Sequence, residues 1–569
     1  MSSKKVFILL WITGFALYAN SLKGDFVFDD LPGILYNPAI KDLGNIKLIW
    51  HTFNTRFLTG LSFALNYKLG GLDPLGYHVV NVIIHILSAF LVYLFTKDTF
   101  RTPYFQNQPL KQEGPLIALC SALIFLVHPI QTEGVSYIVE RSSSLATLFY
   151  LAALVFYIRS RLNNNRRFYI TALVTTMAGM LTKEMTLTIP LTIIVYEIFF
   201  LKAEAGQAKQ ILKRVLPFLG TLLIIPIALV FEQNQYSNLA LREQILKGKF
   251  RFINFLTQIN ILRTYLRLFI LPIHQNVDYD YPPSRGMLEI STLSSVILMV
   301  ILCASAILLY RRMRMISFCI IWFFITTSIE FAVGFFICKE IIIFEHYLYL
   351  PIVGLAIGIS YGLFRCFRET RKMAIACSLL VMIFSMMTYQ RNKFWENGIS
   401  LWSDTIKKSP NKPRPYSNLG YHYSLKEDYD HAISYYKKAI QLDSQYAKPY
   451  SGVGDAYFVK KDYKNATRYY QRYITLAPYD SEEYSKLCSA YALVGDYDQA
   501  IEWGNKVTNF DDQTDLFYNN LAIAYAKKGD WDRAISLFQR ALKLNSQNKV
   551  QIKRNLDLAI QKKDLFQDQ

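Results

Sequence analysis

Cysteine pairs are missing from this chain: its seven cysteines stand singly, several of them inside apolar stretches. That excludes a disulfide framework and a thiolate zinc site. Neither a GxGxxG element nor a Walker loop occurs, so no nucleotide fold is indicated. Charge is scarce as well, 18% of 569 residues against 52% apolar, which is too little for a soluble enzyme of this size. The formal charge of +19 does not call for nucleic acid. The Lys and Arg of the first part sit mainly in short loops between apolar blocks, where they set membrane orientation. No clear small-x-small cleavage site follows Lys4, Lys5 and FILLWITGFALYA, so this start is read as a retained membrane helix and not as a signal peptide.

What is present is a series of apolar blocks between Phe7 and Thr388, long enough to cross hydrocarbon. The spacing predicts an all-α, polytopic membrane domain with eleven spans, at about 6–22, 78–96, 116–131, 142–158, 168–182, 185–201, 214–231, 290–310, 315–337, 345–364 and 373–389. With Lys4 and Lys5 inside, the dense basic loops share the cytoplasmic face: Lys97, Arg101 and Lys111, then 159–167, Lys202 to Arg214, 311–314 and 365–372. Segment 253–272 is read as an amphipathic helix on the outer leaflet, because Arg263 and Arg267 lie one turn apart. The segments 23–77, 128–141, 232–289 and 339–345, and everything after 390, then lie outside the cytoplasm.

The remainder repeats with a period of 34: Asp428-Tyr429, Asp462-Tyr463, Asp496-Tyr497 and Asp530-Trp531, with Ala432, Ala466, Ala500 and Ala534, and Tyr423, Tyr457, Tyr491 and Tyr525. This is the signature of tetratricopeptide repeats, in which a small alanine lets two antiparallel helices approach. The domains are therefore a transmembrane domain, 1–389, and a tetratricopeptide-repeat α-solenoid, 390–569, whose tail from 549 caps the stack. Tyr416, Asn418, Tyr450, Tyr484, Tyr518 and Asn519 are candidates for a peptide-binding surface on it.

Polar residues gather where a membrane protein should not spend them. Asp25, Asp29 and Asp30 follow the first span. Arg56 can serve an anion, and His78 and His85 share one face of the second span with Asn81; helix packing accounts for them better than metal, since no compact three-ligand set is supplied. His128, Gln131, Glu133, Glu140 and Arg141 stand at the next outer boundary, where Arg141 and Ser142 to Ser144 open a helix suited to an anion, although Arg141 could instead pair with Glu140. Lys183 and Glu184 interrupt two apolar runs, and Glu345, His346 and Tyr347 precede span ten. Five clusters at one boundary fit a cavity that holds a lipid-linked phosphate while its tail stays in the bilayer. Sugar transfer from such a donor needs one carboxylate as base and cations on the leaving phosphate.

The motifs GDFVFDDLPGILYNP, RFLTGLSFALNY, GYHVVNVIIH, HPIQTEGVSYIVERSSSLA, LTKE and FEHYLYLP, followed by the repeats, resemble the GT-C class of membrane glycosyltransferases. Within it they are most similar to the transmembrane and tetratricopeptide-repeat O-mannosyltransferases and their bacterial relatives. The resemblance implies a polyprenyl-phosphate sugar donor, an inverting transfer to Ser/Thr hydroxyls of a protein outside the cytoplasm, and no obligatory metal. It makes Asp29 or Asp30 the base, with Asp29 preferred. It is read with Arg56, His128, Arg141, Lys183, His346 and Tyr347 on the donor, and with Asp25, His78, Glu133, Glu184 and Glu345 on the acceptor side or in support. His346 stands where eukaryotic members commonly have arginine, and the outer segment 232–289 is short. The first departure puts a cationic role for that position in question; the short segment, with a small repeat array and terse loops, favours a bacterial inner-membrane enzyme with periplasmic repeats, whose sugar is mannose or another. Transfer to a glycan, lipid or cell-wall polymer, and a non-catalytic assembly factor, are the competing readings.

Overall fold

The computed structural model describes residues 1–106, 108–201, 208–230, 248–336, 343–367, 369–478, 480–506, 514–544 and 549–567. They fold as helices joined by short turns, in two compact units, Met1–Asp404 and Thr405–Gln569. The part 202–207 of the basic loop expected from Lys202 to Arg214, and the parts 232–247 and 339–342 of the expected outer segments, lie outside the described residues; 208–214 open the helix Ala208–Gly220.

Among the described residues of the first unit seven helices are long and apolar enough to cross a membrane: Pro74–Thr99, Ile138–Leu162, Glu184–Leu201, Lys209–Ala228, Ile290–Arg312, Arg314–Gly334 and Thr370–Trp395. Gly114–Val127 with Pro129–Ser136 makes an eighth if the pair, bent by 51°, is one span. This is a multi-pass membrane protein. Three further expected spans form shorter helices, Ser3–Tyr18, Arg166–Met180 and Ile352–Phe367. Gly248–Ile270 is a full 23 residues long but falls outside the span set, with Arg263 and Arg267 in its second half. Ile307 and Leu308 are 76% and 74% exposed, a degree of apolar exposure suited to hydrocarbon and not to water.

Backbone groups in such a bundle are satisfied within the helices, so side-chain packing decides how the helices associate. A Cβ at Gly14 would lie 2.5 Å from the Ile86 side chain, which marks the close approach of the first helix to Pro74–Thr99. His85 stitches three elements: its ring nitrogens reach the Tyr349 hydroxyl at 2.6 Å and the Leu126 carbonyl at 3.0 Å. The packing role read for this histidine from sequence is the one it fills.

In the second unit the repeated aspartates are helix N-caps. Asp428, Asp462, Asp496 and Asp530 each accept a hydrogen bond from the backbone N–H three residues on, at 3.2–3.3 Å. The repeated alanines are fully buried. Small residues also recur on the facing helices, where Gly420 and Gly454 take the rings of Tyr436 and Tyr470; a Cβ at Gly454 would come within 2.5 Å of Tyr470. Gly454→Val is therefore expected to destabilise the protein by about 1–3 kcal/mol through overpacking. A denaturant midpoint no lower than that of the unaltered protein would contradict this packing.

The expected peptide surface needs correction at two positions. Tyr450 and Tyr518 are 8% and 3% exposed. The Tyr450 hydroxyl donates to the Ser444 carbonyl, and the Tyr518 ring lies under Arg540 at 4.9 Å. A ring that fills the gap between helices offers little surface to a peptide. Tyr416, Asn418, Tyr484 and Asn519 are half-buried. The Tyr484 hydroxyl donates to the Pro478 carbonyl, and the Asn519 carbonyl oxygen accepts from Asn555.

Candidate functional site

The polar clusters meet through one stretch of chain, the turns between Pro129 and Arg141. Pro129 and the bend before it stop the preceding helix from running on, and only short helical turns, Pro129–Gln131, Thr132–Ser136 and Ile138–Glu140, separate it from the long helix that begins at Arg141. The intervening short turns leave backbone donors and polar side chains free to serve other loops.

The first loop docks here and separates its aspartates. Asp30 is fully buried, its two carboxylate oxygens accepting from the Val27 N–H at 3.1 Å and the Val139 N–H at 2.7 Å. Asp29 is exposed, and its backbone N–H donates to the Tyr137 hydroxyl at 2.9 Å. Tyr137 is stacked between Phe28 and Trp395. Asp30 is thus a strut and Asp29 the carboxylate presented outward. Burial pushes the Asp30 carboxyl up to about 8, against the pull of the Val27 and Val139 N–H groups. Between the ordinary aspartate range and about 8 the folded protein then holds a proton that the unfolded chain has released. Stability falls as pH rises through this window. Asp30→Asn should flatten that decline, read as unfolding temperature between pH 5 and 8 at fixed ionic strength; an unchanged slope would rule out Asp30 as its source.

A second group of charges lies beside the first. Lys183 is 5% exposed, and its Nζ contacts Glu140 Oε2 at 3.0 Å and Ser143 Oγ at 2.6 Å. His346 lies between two acids, with Nδ1 2.8 Å from Glu133 Oε1 and Nε2 3.4 Å from Glu140 Oε1. A neutral imidazole carries one N–H, so two ionised partners would set a bare ring nitrogen against an oxygen lone pair. The 3.4 Å contact with Glu140 is the longer one, so the single N–H of a neutral ring is spent on Glu133. Lys183 also stands 5.7 Å from the Tyr347 ring centre. At the exposed margin Arg56 pairs with Glu184 at 3.2 Å, while Thr55 donates to the other oxygen of that glutamate at 3.0 Å.

Other sequence candidates point elsewhere. Arg141 is fully buried and turned into the bundle, where each nitrogen is engaged: Nε with Asn81 Oδ1 at 2.7 Å, Nη1 with Asn66 Oδ1 at 2.7 Å and Nη2 with the Tyr77 carbonyl at 3.0 Å. It does not pair with Glu140, which Lys183 takes. His128 accepts from the Ile130 N–H and reaches the Phe269 carbonyl at 3.0 Å, and His78 reaches the Gly24 carbonyl at 3.1 Å. Asp25 is exposed and its backbone N–H donates to the Glu396 carbonyl. Glu345 is a clamp, receiving the Asn276 N–H, the Tyr279 hydroxyl and the Gln275 amide, each at 2.6 Å. Tyr137 and Asn66, and Ser62, whose carbonyl and hydroxyl also receive Arg141, lie inside motifs quoted from the sequence but were not singled out there, and the 275–279 loop lies in no motif. Ser143 was legible only as one of a run of serines opening a helix. Among the described residues no group of three or more His, Cys, Asp or Glu side chains is placed to hold a metal ion.

Known proteins are similar to this chain in sequence. The chain is 27% identical over 428 residues to the protein O-mannosyl-transferase F38B6.6 of Caenorhabditis elegans, covering 71% of this chain and 58% of that one. It is 25% identical over 471 residues to the protein O-mannosyl-transferase TMTC3 of Homo sapiens, covering 73% and 49%. The chain is homologous to the protein O-mannosyl-transferases. It spans about half the length of the curated relatives it matches. The tetratricopeptide repeat family matches residues 413–446 and 516–548. A crystal structure of MamA is 30% identical over 26% of this chain and 85% of its own, with a TM-score of 0.24.

Proposed function

We propose that this protein is an inverting glycosyltransferase that moves a sugar from a polyprenyl-phosphate carrier to Ser/Thr hydroxyls of proteins outside the cytoplasm. The observation that carries the reading is the docking of an exposed carboxylate, Asp29, on the same turns that carry the Glu140–Lys183 pair. Base and cation are thereby held by one short stretch of chain. Homology to O-mannosyl-transferases supports the reaction class.

In the reaction the acceptor oxygen attacks the anomeric carbon as Asp29 takes its proton. The bond from that carbon to the phosphate oxygen breaks, and the carrier phosphate leaves with the electron pair. Lys183 and Arg56 meet the charge that builds on it, exchanging part of their hold on Glu140 and Glu184. His346 holds Glu133 in place at the position where eukaryotic members commonly have arginine, and leaves the positive charge to Lys183 and Arg56. Asp30 fixes the loop and Arg141 fixes the helices beneath, so both position the site without touching the donor.

The span count that fits this reading is eleven, with Ser3–Tyr18, Arg166–Met180 and Ile352–Phe367 completing the set and 253–272 lying on the outer leaflet. Transferase domain and solenoid then divide near residue 390, the solenoid is periplasmic, and it recruits the protein acceptor. The test is a transfer assay on the purified protein with a panel of polyprenyl-phosphate sugars and a Ser/Thr-rich peptide, followed by mass spectrometry of peptide and lipid. Sugar appearing on the peptide supports the reading. Donor binding without transfer to any peptide, together with transfer to a glycan or lipid, would replace it.

A further inference from the structure

One acid stands inside an apolar span without the partner its neighbours have. It is Glu330, four residues before the end of the span Arg314–Gly334. An ionisable group in hydrocarbon is costly unless something takes its charge. At the outer boundary Glu140 is paired with Lys183, Glu184 with Arg56 and Glu133 with His346. Glu330 Oε2 is buried and has no hydrogen-bond partner among the described residues. That oxygen is a standing cost which a ligand's donor would relieve.

Its place is beside the candidate site. The helix Arg314–Phe336 packs against the turn Glu184–Thr188, which begins directly after Lys183. Glu330 interacts electrostatically with Lys183, Glu184 and Glu140. A second set of neighbours gives the same position. The Tyr265 hydroxyl, which donates to the Phe344 carbonyl at 3.2 Å, interacts with both Glu330 and Tyr347, and Lys183 stands 5.7 Å from the Tyr347 ring centre.

Of the parts of a lipid-linked sugar, only one suits a carboxylate here. The phosphate is repelled by it, and the polyprenyl tail has no donor to offer. The sugar has several hydroxyls, and its anomeric carbon is bonded to the phosphate oxygen, so those hydroxyls lie within one ring's breadth of the cation that holds the phosphate. A carboxylate accepts from two of them at once.

We propose that Glu330 recognises the sugar of the donor, its carboxylate accepting from ring hydroxyls while Lys183 holds the phosphate. The inference rests on the reading of the donor as a polyprenyl-phosphate sugar and adds the side chain that tells the loaded carrier from the bare one.

The experiment is a competition for labelled polyprenyl phosphate on the full-length protein in nanodiscs, read by fluorescence anisotropy without any acceptor. The competitors are the polyprenyl-phosphate forms of mannose, glucose and N-acetylglucosamine, and unlabelled polyprenyl phosphate. At least one sugar lipid should bind more tightly than the bare carrier, and Glu330→Gln should weaken that lipid by about 10–100-fold. The bare carrier should bind Glu330→Gln as well as before or better, because a negative charge near Lys183 has gone. A structural role would weaken both lipids together. A second measurement needs no variant: among deoxy analogues of the preferred sugar lipid, at least one should bind the unaltered protein about tenfold less tightly. Equal binding of loaded and bare carriers by the unaltered protein, parallel weakening of both in Glu330→Gln, or deoxy analogues that all bind like the parent overturns the proposal. Transfer assays separate it from the reading it rests on. Sugar preference lost in Glu330→Gln, with no transfer to any peptide by the unaltered protein, removes the protein-acceptor reading and keeps this role; transfer with the sugar preference intact in Glu330→Gln removes this role alone.

Discussion

Asp29→Asn is expected to lower sugar transfer by about 10²–10⁴-fold while leaving donor affinity and unfolding temperature near those of the unaltered protein. The amide keeps the size of the side chain and the backbone bond to Tyr137 but cannot take a proton. Asp30→Asn should give the opposite pattern. Where the carboxyl is ionised, the amide nitrogen replaces one of the two oxygens that receive backbone N–H groups, so above about pH 8 stability falls by about 1–3 kcal/mol, and transfer falls only as far as the loop loosens. Single-turnover transfer beside thermal unfolding distinguishes the two. If Asp30→Asn abolished turnover at unchanged stability while Asp29→Asn turned over normally, the roles would be reversed.

Arg141→Met should be the most destabilising single change in the membrane unit, by about 3–5 kcal/mol. The guanidinium joins Asn66, Asn81 and the Tyr77 carbonyl in a region closed to water, with the Phe63 ring 4.6 Å away. Without it three acceptors lose their donors at once. Arg141→Lys keeps the charge but not the planar fork, so it should recover only part of the loss. A direct role on the donor phosphate would show differently, as selective loss of donor affinity at unchanged unfolding temperature. Titration of the donor analogue and detergent-phase melts on the same preparations decide between them.

Much of this was legible in one dimension. The apolar blocks, the 34-residue period and the order of motifs gave the membrane domain, the solenoid and the O-mannosyltransferase resemblance. Each depends on local periodicity or on sequence likeness. The Asp-Tyr pairs illustrate the limit: the period exposed them, but their work as N-caps became visible only when each aspartate was seen on its backbone N–H. Tyr450 and Tyr518 were indistinguishable in sequence from surface tyrosines, because inward and outward positions of a repeat helix differ by a rotation that period alone does not fix.

Sequence by itself supplied the candidates for the proposed site, a pair of aspartates and a few cations amid apolar helices. Tertiary structure decided which of them is buried and which partner each one meets. Asp29 and Asp30 are neighbours in the chain, yet one is exposed and the other buried, because the N–H that captures Asp30 comes from Val139, 109 residues away. Glu140 and Arg141 are likewise adjacent and take different partners, Lys183 and the Asn66–Asn81 pair. The side chains of consecutive residues at a helix start point in different directions, so each meets whatever the fold has placed on its own side. A residue's type fixes the chemistry it can perform, and the partner that reaches it through space fixes whether that chemistry is spent on holding the fold or kept for a substrate.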